Sequence, residues 1–283
     1  MRILLIRHGE SHANVDSSVH KIIPDHEIAL SSRGIDQAKR AGEYVKAYFE
    51  KEYADLFDSN ISAKDKMNKS LDKMISESPF GNNKAFSDVF KNLVDKIGDV
   101  SKISEHITPK IRLYHSPYRR TRDTSGYIME SCKSIVTDVK EDFLLGEQTF
   151  GIFDGLEDEE QEKKFPEEFK YFKHAQQYSG KFWARYPLGE SPSDVAVRLK
   201  VFFQQLKDDE EDGIKDVIIV CHGTVLRAFT MAYLNHTPEW YAEEKSPGNC
   251  AIRVIDNKKD LGYVFGGYRE GNNWLYPGNI YAK

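Results

Sequence analysis

Apolar residues along this chain fall into short continuous runs separated by longer stretches with helical spacing. Ile3-Leu4-Leu5-Ile6 is unbroken and apolar, as a strand covered on both faces of a parallel sheet should be. After a polar loop, Arg33 to Phe49 carries Ala38, Ala41, Val45, Tyr48 and Phe49 on one stripe, predicting an amphipathic helix. Ile111 to His115 is the next strand. Ser116-Pro117 then reads as an N-cap with proline at the first helical position, opening a helix to about Met129. Ser134 to Asp138 is a third strand. Ser191-Pro192-Ser193-Asp194 repeats the start signal with a capping-box acid, and Val195, Leu199, Phe202, Phe203 and Leu206 mark the buried side of that helix. Val217 to Val220 is a fourth strand, Val225 to Leu234 the helix after it, and Ala251 to Ile255 and Leu261 to Phe265 are edge strands. Strands alternating with helices predict an α/β fold with a mostly parallel sheet covered on both faces.

Two segments exceed this framework. Residues 52–108 are far longer than an ordinary connection. Met67, Leu71, Met74 and Ile75 form one stripe, Phe86, Val89, Phe90, Leu93, Val94 and Ile97 another, with Pro79-Phe80-Gly81-Asn82-Asn83 as a turn between them. This predicts an inserted helical hairpin within a single domain spanning 1–283. It is entered at the far end of the first helix, so it is expected to lie away from the strand ends, as a surface for a protein partner or a second copy rather than a lid. The second excursion, 151–189, is acidic over Asp154 to Glu168 and then aromatic (Phe165, Phe169, Tyr171, Phe172, Tyr178, Phe182, Trp183, Tyr186). It reads either as a lid that sets specificity or as an acidic helix over a satellite core.

Composition narrows the setting. The chain has 283 residues, 40% hydrophobic and 30% charged, with a formal net charge of -5. This mild acidity argues against nucleic-acid or membrane-surface binding, which needs a basic face. Cys132, Cys221 and Cys250 are odd in number and widely spaced, which suits a reducing compartment better than a disulfide framework. No run reaches membrane-spanning length, and Ile3 to Ile6 is too short for a signal core, so a cytoplasmic protein is expected.

The chemistry lies where strands end. Arg7-His8-Gly9-Glu10 closes the first apolar run and Cys221-His222-Gly223 the fourth, and ligands of open α/β sheets bind beyond the carboxyl ends of the strands. Gly9 and Gly223 allow sharp turns that bring N–H groups to an anion, and Gly223 opens a helix whose N-terminus favours phosphate. Arg119 and Arg120 fall in the first turn of another helix. Arg7 and Arg120 suit a forked grip on a phosphate monoester, and a neutral imidazole can attack phosphorus. In this reading His8 is the nucleophile and Glu147 the acid and base. His222 and the arginines stabilise the transferring charge. HExxH, CxxC, Walker and GxGxxG patterns are missing from the sequence, and the reading calls for no metal or cofactor. A single His-Gly after a strand is more often a plain turn, and a basic run such as 119–122 a solvated helix face. Only the joint pattern reverses this.

These residues resemble the histidine phosphatase superfamily, in its phosphoglycerate-mutase-like branch. Leu5-Ile6-Arg7-His8-Gly9-Glu10-Ser11 is similar to its N-terminal signature, with Asn14 at the motif asparagine. Ser116 to Thr124 resembles the arginine-bearing motif, with Arg120 as phosphate ligand, and Leu145 to Gly151 the segment carrying the acid. Gly189-Glu190-Ser191 with Asp194 and Arg198 is similar to another family run, and Val220-Cys221-His222-Gly223-Thr224 to the second histidine motif. The resemblance implies a three-layer α/β/α sandwich and a phosphohistidine intermediate. It also implies substrate contacts from Gly9, Ser11, Asn14, Gly223 and Thr224. Ala13 stands where the mutases have tryptophan, Thr224 where they tend to have asparagine, and acids occupy 154–160 where they have a basic substrate grip. These departures favour metal-independent phosphomonoester hydrolysis. A phosphoglycerate mutase dependent on 2,3-bisphosphoglycerate is the alternative, and a silent binding protein that docks through 52–108 the reading from another class. Phosphopeptide, phosphosugar and nucleotide monophosphate substrates all stay open.

Overall fold

Strand β1 (Arg2–Arg7) is apolar throughout its middle because nothing polar could survive there: Ile3 to Ile6 are fully buried between neighbouring strands and helices on both faces. A computed structural model describes residues 1–54 and 110–266, together with the backbone of 268–270 and 273–275. With β2 (Ile111–His115), β3 (Val136–Glu141), β4 (Asp216–Cys221), β5 (Ile252–Asp256) and β6 (Lys259–Phe265), β1 forms a six-stranded sheet in the order β3-β2-β4-β1-β5-β6. The first four strands in that order are mutually parallel, and β5 and β6 add an antiparallel margin. Two short strands, β7 (Tyr268–Glu270) and β8 (Asn273–Leu275), pair separately.

The helices are α1 (His12–Val15), α2 (Ser32–Glu52), α3 (Arg119–Cys132), α4 (Asp158–Lys164), α5 (Pro166–Tyr178), α6 (Pro192–Glu211), α7 (Gly223–Leu234) and α8 (Pro238–Glu243). Alternation along the strands assigns them to two layers. Ile3, Leu5, Tyr114, Val217 and Ile219 pack with Val195, Leu199, Phe202 and Leu206 of α6 and with Val225, Leu226 and Phe229 of α7. The intervening Leu4, Ile6, Leu113, Ile218 and Val220 point to the opposite face and are also fully buried. On that side α2 and α3 approach closely at Gly42, where an added Cβ would stand 3.0 Å from the Ile128 Cα. The sheet is therefore mixed and flanked by helices, the α/β class expected from the alternating pattern. Among the described residues no helix is long and apolar enough to cross a membrane.

Local signals succeed where the deciding interaction is itself local. Ser191 caps α6, with Asp194 closing the capping box and Pro192 in the first turn. The sequence expectation fails at Ser116. Its N–H continues the strand ladder by donating to the Val220 carbonyl at 3.1 Å, so α3 starts three residues later with Tyr118 at the cap position. The third strand likewise begins at Val136 rather than Ser134, because α3 runs on to Cys132 and a turn follows. Residues 252–256 are not an edge strand: β5 lies between β1 and β6, which explains four buried residues in five.

The chain divides into two compact units, residues 1–45 with 110–283, and residues 46–109. Within the second, the end of α2 sets the Tyr48 ring edge-on to Phe49 and stacks Phe49 on Tyr53. The helical hairpin expected over 52–108 falls, beyond residue 54, outside the described residues. The excursion after residue 151 forms α4 and α5 over a satellite core of Phe153, Phe172 and Ala184, joined by Phe165, Phe169 and Tyr186. Phe165, Phe169, Phe172, Phe182 and Tyr186 therefore serve packing first, while Tyr171, Tyr178 and Trp183 are exposed.

The turn leaving β1 lies backbone-to-backbone against the start of α2. A Cβ on Gly9 would stand 2.5 Å from the Gly34 carbonyl oxygen, and one on Gly34 would collide with the Glu10 carbonyl. Gly34→Ala is expected to cost about 2–3 kcal/mol, as a local overpacking against rigid backbone. Chemical denaturation would read this as a lower midpoint at unchanged slope.

Candidate active site

The parallel pairing of β1 with β4 matches Arg7 to Cys221, so the next residue of each strand, His8 and His222, emerges side by side. The His8 N–H donates to the Cys221 carbonyl at 3.0 Å, and the two rings meet edge to face with centroids 5.3 Å apart. Ser116 follows the end of β2, the other neighbour of β4, and completes a row of three adjacent strand ends.

Hydrogen bonds orient both imidazoles and, for His8, fix which nitrogen carries the proton. His8 Nδ1 lies 2.7 Å from its neighbour's Gly9 carbonyl oxygen, which can only accept. The proton of a neutral His8 therefore sits on Nδ1 and the lone pair on Nε2. His222 Nε2 lies 2.8 Å from Ser116 Oγ, which also accepts weakly from the Tyr118 N–H at 3.4 Å. The serine hydroxyl keeps both a proton and a lone pair for His222 Nε2, so the contact orients the ring. His222 Nδ1 is a buried atom without a hydrogen-bond partner, 3.9 Å from Glu147 Oε2. Burial, reinforced by the nearby charges of Arg120 and Arg7, holds both imidazoles well below the ordinary value of 6.5. Both are neutral at physiological pH.

Two guanidinium groups border these rings. Arg7 donates from Nη1 to the Pro247 carbonyl at 2.6 Å, while its buried Nε has no hydrogen-bond partner. Burial, and repulsion from Arg120, lower its pKa. Arg120 is buried, lies over the Tyr118 ring at 4.8 Å, and is paired with Asp25 through both carboxylate oxygens. Tyr118 in turn packs edge-on against His222 with centroids 4.9 Å apart. Arg7 Nε and His222 Nδ1 are thus buried nitrogens without hydrogen-bond partners at neighbouring strand ends, a setting suited to an anion.

Glu147 reaches the same volume from the loop after β3. Burial raises its pKa, opposed by the hydrogen bond it accepts from the Gln148 N–H at 2.9 Å and by both arginines. The loop is braced from α6. Arg198 donates to the Leu144 carbonyl, to that of Gly146 at 2.7 Å and to that of Glu147 at 3.2 Å, and pairs with Glu190. Gln148 donates to the Glu190 carbonyl at 2.8 Å. The Gly189-to-Arg198 run is thus a bracket for the acid.

His8, Arg7, Arg120, Glu147 and His222 therefore converge, and Gly223 lies beside them, its Cβ position 3.6 Å from Arg7 Nε. Others of the expected substrate contacts have different partners. The Gly9 N–H donates to Thr124 Oγ1 at 3.0 Å, and the residue is glycine because of Gly34. Ser11 and Asn14 engage each other in the capping box of α1. Thr224 is partly buried in the first turn of α7. Asn249 links the Asn14 side chain, at 3.1 Å, to the His8 carbonyl at 3.2 Å. Sequence reading assigned Ser116 to the wrong task and gave none to Tyr118, Thr124 or Asp25. For Ser116 the residue type suited a cap equally well, and for Asp25 nothing in a polar loop set it apart.

The family model of the histidine phosphatase superfamily (branch 1) matches residues 3–54 and 100–264. The phosphoglycerate mutase-like protein AT74 of Arabidopsis thaliana is 29% identical over 266 residues, 90% of this chain, which spans only 64% of that relative's length. The broad-range acid phosphatase DET1 of Saccharomyces cerevisiae is 24% identical, over 90% of this chain and 84% of its own. A mycobacterial glucosyl-3-phosphoglycerate phosphatase solved with VO3 shares the fold, with a TM-score of 0.55 at 19% identity, covering 90% of this chain and 92% of that one. The matched residues make up most of the sequence and carry every strand of the site: the chain belongs to the histidine phosphatase superfamily, branch 1.

Proposed function

We propose that this enzyme hydrolyses phosphomonoesters through a phosphohistidine on His8. The observation that carries the proposal is the pair of buried nitrogens without hydrogen-bond partners, Arg7 Nε and His222 Nδ1, beside an imidazole whose lone pair is fixed on Nε2. The ester's phosphoryl group enters this cage, its oxygens held by Arg7, Arg120 and His222. His8 Nε2 attacks phosphorus in line while the bond to the leaving oxygen breaks. Glu147, pushed by burial toward its protonated form, gives its proton to that oxygen. After the alcohol departs, the Glu147 carboxylate takes a proton from water, whose oxygen attacks phosphorus and breaks the P–N bond. Inorganic phosphate leaves with His8 and Glu147 restored.

Hydrolysis is favoured over a mutase by the surroundings of the cage. Asp25 and Asp154 lie on the Arg120 side. These two carboxylates repel a second phosphate or a carboxylate on the substrate. The mutase-like name of the Arabidopsis relative and a 32% match over 148 residues to a 2,3-bisphosphoglycerate-dependent phosphoglycerate mutase of Gloeobacter violaceus keep the transferase reaction as the second reading. The leaving group is an alcohol of a small phosphorylated molecule or a phosphopeptide. A surface for a protein partner or a second copy belongs to residues 52–108.

Quenching a single turnover in alkali and locating phosphate by mass spectrometry tests the route. Phosphate is expected on His8 and then lost to water, and His8→Ala is expected to lose it together with turnover, by at least about a thousandfold. A phosphoenzyme that discharges only to a phosphoglycerate would establish the mutase.

Glu147→Gln separates the proton donor from the rest. Hydrolysis of an alkyl phosphate is expected to fall about a hundredfold or more, with a far smaller loss for p-nitrophenyl phosphate, whose leaving group needs no proton.

The wild-type pH profile should rise as His8 loses its proton below 6.5 and fall as Glu147 loses its own above the ordinary 4.5. An alkaline limb that persists in Glu147→Gln would assign the acid elsewhere.

A further inference from the structure

Arg120, the residue expected to grip phosphate, already holds an anion of the protein's own. Its Nη1 donates to Asp25 Oδ1 at 2.9 Å and to the Asp25 carbonyl at 2.7 Å, and its Nη2 donates to Asp25 Oδ2 at 3.1 Å. A carboxylate in this two-pronged pose uses the donors that a phosphoryl group would use. Asp25 is the only acid that forms an ion pair with Arg120 among the described residues. Glu147, another nearby carboxyl, is pushed by burial toward its neutral form. Asp25 is therefore the direct partner that offsets the cost of burying this guanidinium.

The residue comes from a surface loop between α1 and α2, where Asp16 to Ser18 and Lys21 to Pro24 are exposed. Two outer contacts hold that loop: Lys21 pairs with Glu160 at 2.7 Å, and His20 lies against Gly155 with Nδ1 3.5 Å from Asp25 Oδ1 and 3.9 Å from Asp154 Oδ1. Asp25 thus reaches into the site from a segment that is otherwise solvated. Beside a phosphate dianion the same carboxylate would be repelled rather than held.

We infer that Asp25 is an internal placeholder for phosphate: it occupies the Arg120 fork in the free enzyme, is displaced when the phosphoryl group binds, and returns as inorganic phosphate leaves. This rests on the phosphatase reading and adds to it a device for product release. A fixed prop behind Arg120 would act with the opposite sign, since removing a prop weakens anion binding while removing a competitor tightens it.

Inorganic phosphate and vanadate titrated by calorimetry into wild type and Asp25→Asn at constant ionic strength decide between the two. The placeholder predicts a Kd lower in the variant by about tenfold, the tax on a fork occupied about nine-tenths of the time. The inhibition constant of product phosphate should fall in step, and Asp154→Asn, which leaves the Arg120 pair in place, should change either value less than about twofold. An unchanged or weakened affinity in Asp25→Asn overturns the inference and leaves the phosphatase reading intact. A crystal structure of the wild type with vanadate gives an answer even if the variant does not fold. The fork is expected on vanadate with Asp25 turned away, and Asp25 still bidentate on Arg120 beside bound vanadate would refute it. If the wild type binds neither anion, both readings fall together.

Discussion

Everything at this site depends on the parallel register of β1 with β4. Because Arg7 pairs with Cys221, the first residue beyond each strand is a histidine, and the backbone bond from the His8 N–H to the Cys221 carbonyl fixes their separation. A shift of one residue would send every side chain of the strand to the other face. That register is secured by burial on both sides of the sheet, where β4 is buried along its whole length. The hydrophobic core thus positions the reacting atoms, although none of its side chains takes part in the chemistry.

Electrostatics then sort the groups that the strands assemble. Low solvent access and two guanidinium groups keep both imidazoles neutral, while the same burial pushes a carboxyl toward its neutral form. The proposed nucleophile and the proposed acid are thereby both shifted toward the protonation state that the reaction asks of them. This arrangement has a cost. As pH falls below 6.5 the unfolded chain takes up protons on His8 and His222 that the folded protein refuses, so stability declines on the acid side. The raised pKa of Glu147 acts in the other direction, costing stability as pH rises through its folded-state value.

A set of brackets surrounds the reacting groups. Arg198 and Glu190 secure the acid loop from α6, and the Pro247 carbonyl and Asn249 secure Arg7 and the His8 backbone from the segment before β5. Ser116 holds the His222 ring through Nε2. The glycine pair Gly9 and Gly34 lets the turn after β1 lie close against α2. These residues set geometry and protonation for others, which is why their tasks are invisible in a list of reactive residue types.

The sequence by itself determined the alternation of strands and helices, the two His-Gly pairs at strand ends, and the capping box at Ser191. In each case the deciding forces act between residues near in sequence, through periodicity, backbone propensity or a side chain reaching its own turn. It also marked Arg7, Arg120 and Glu147, because their surrounding motifs are specific. It did not determine that Ser116 would extend a strand and serve His222, that β5 would be interior, or that Glu190 and Arg198 would hold the acid loop. Nor could it pair Asp25 with Arg120, 95 positions away. Those assignments depend on which distant segments are brought together, and a hydroxyl, a carboxylate or a guanidinium has the same local signature whichever partner it finds. Only the tertiary structure decides the partner, because burial makes an unpaired charge or donor too costly to leave alone.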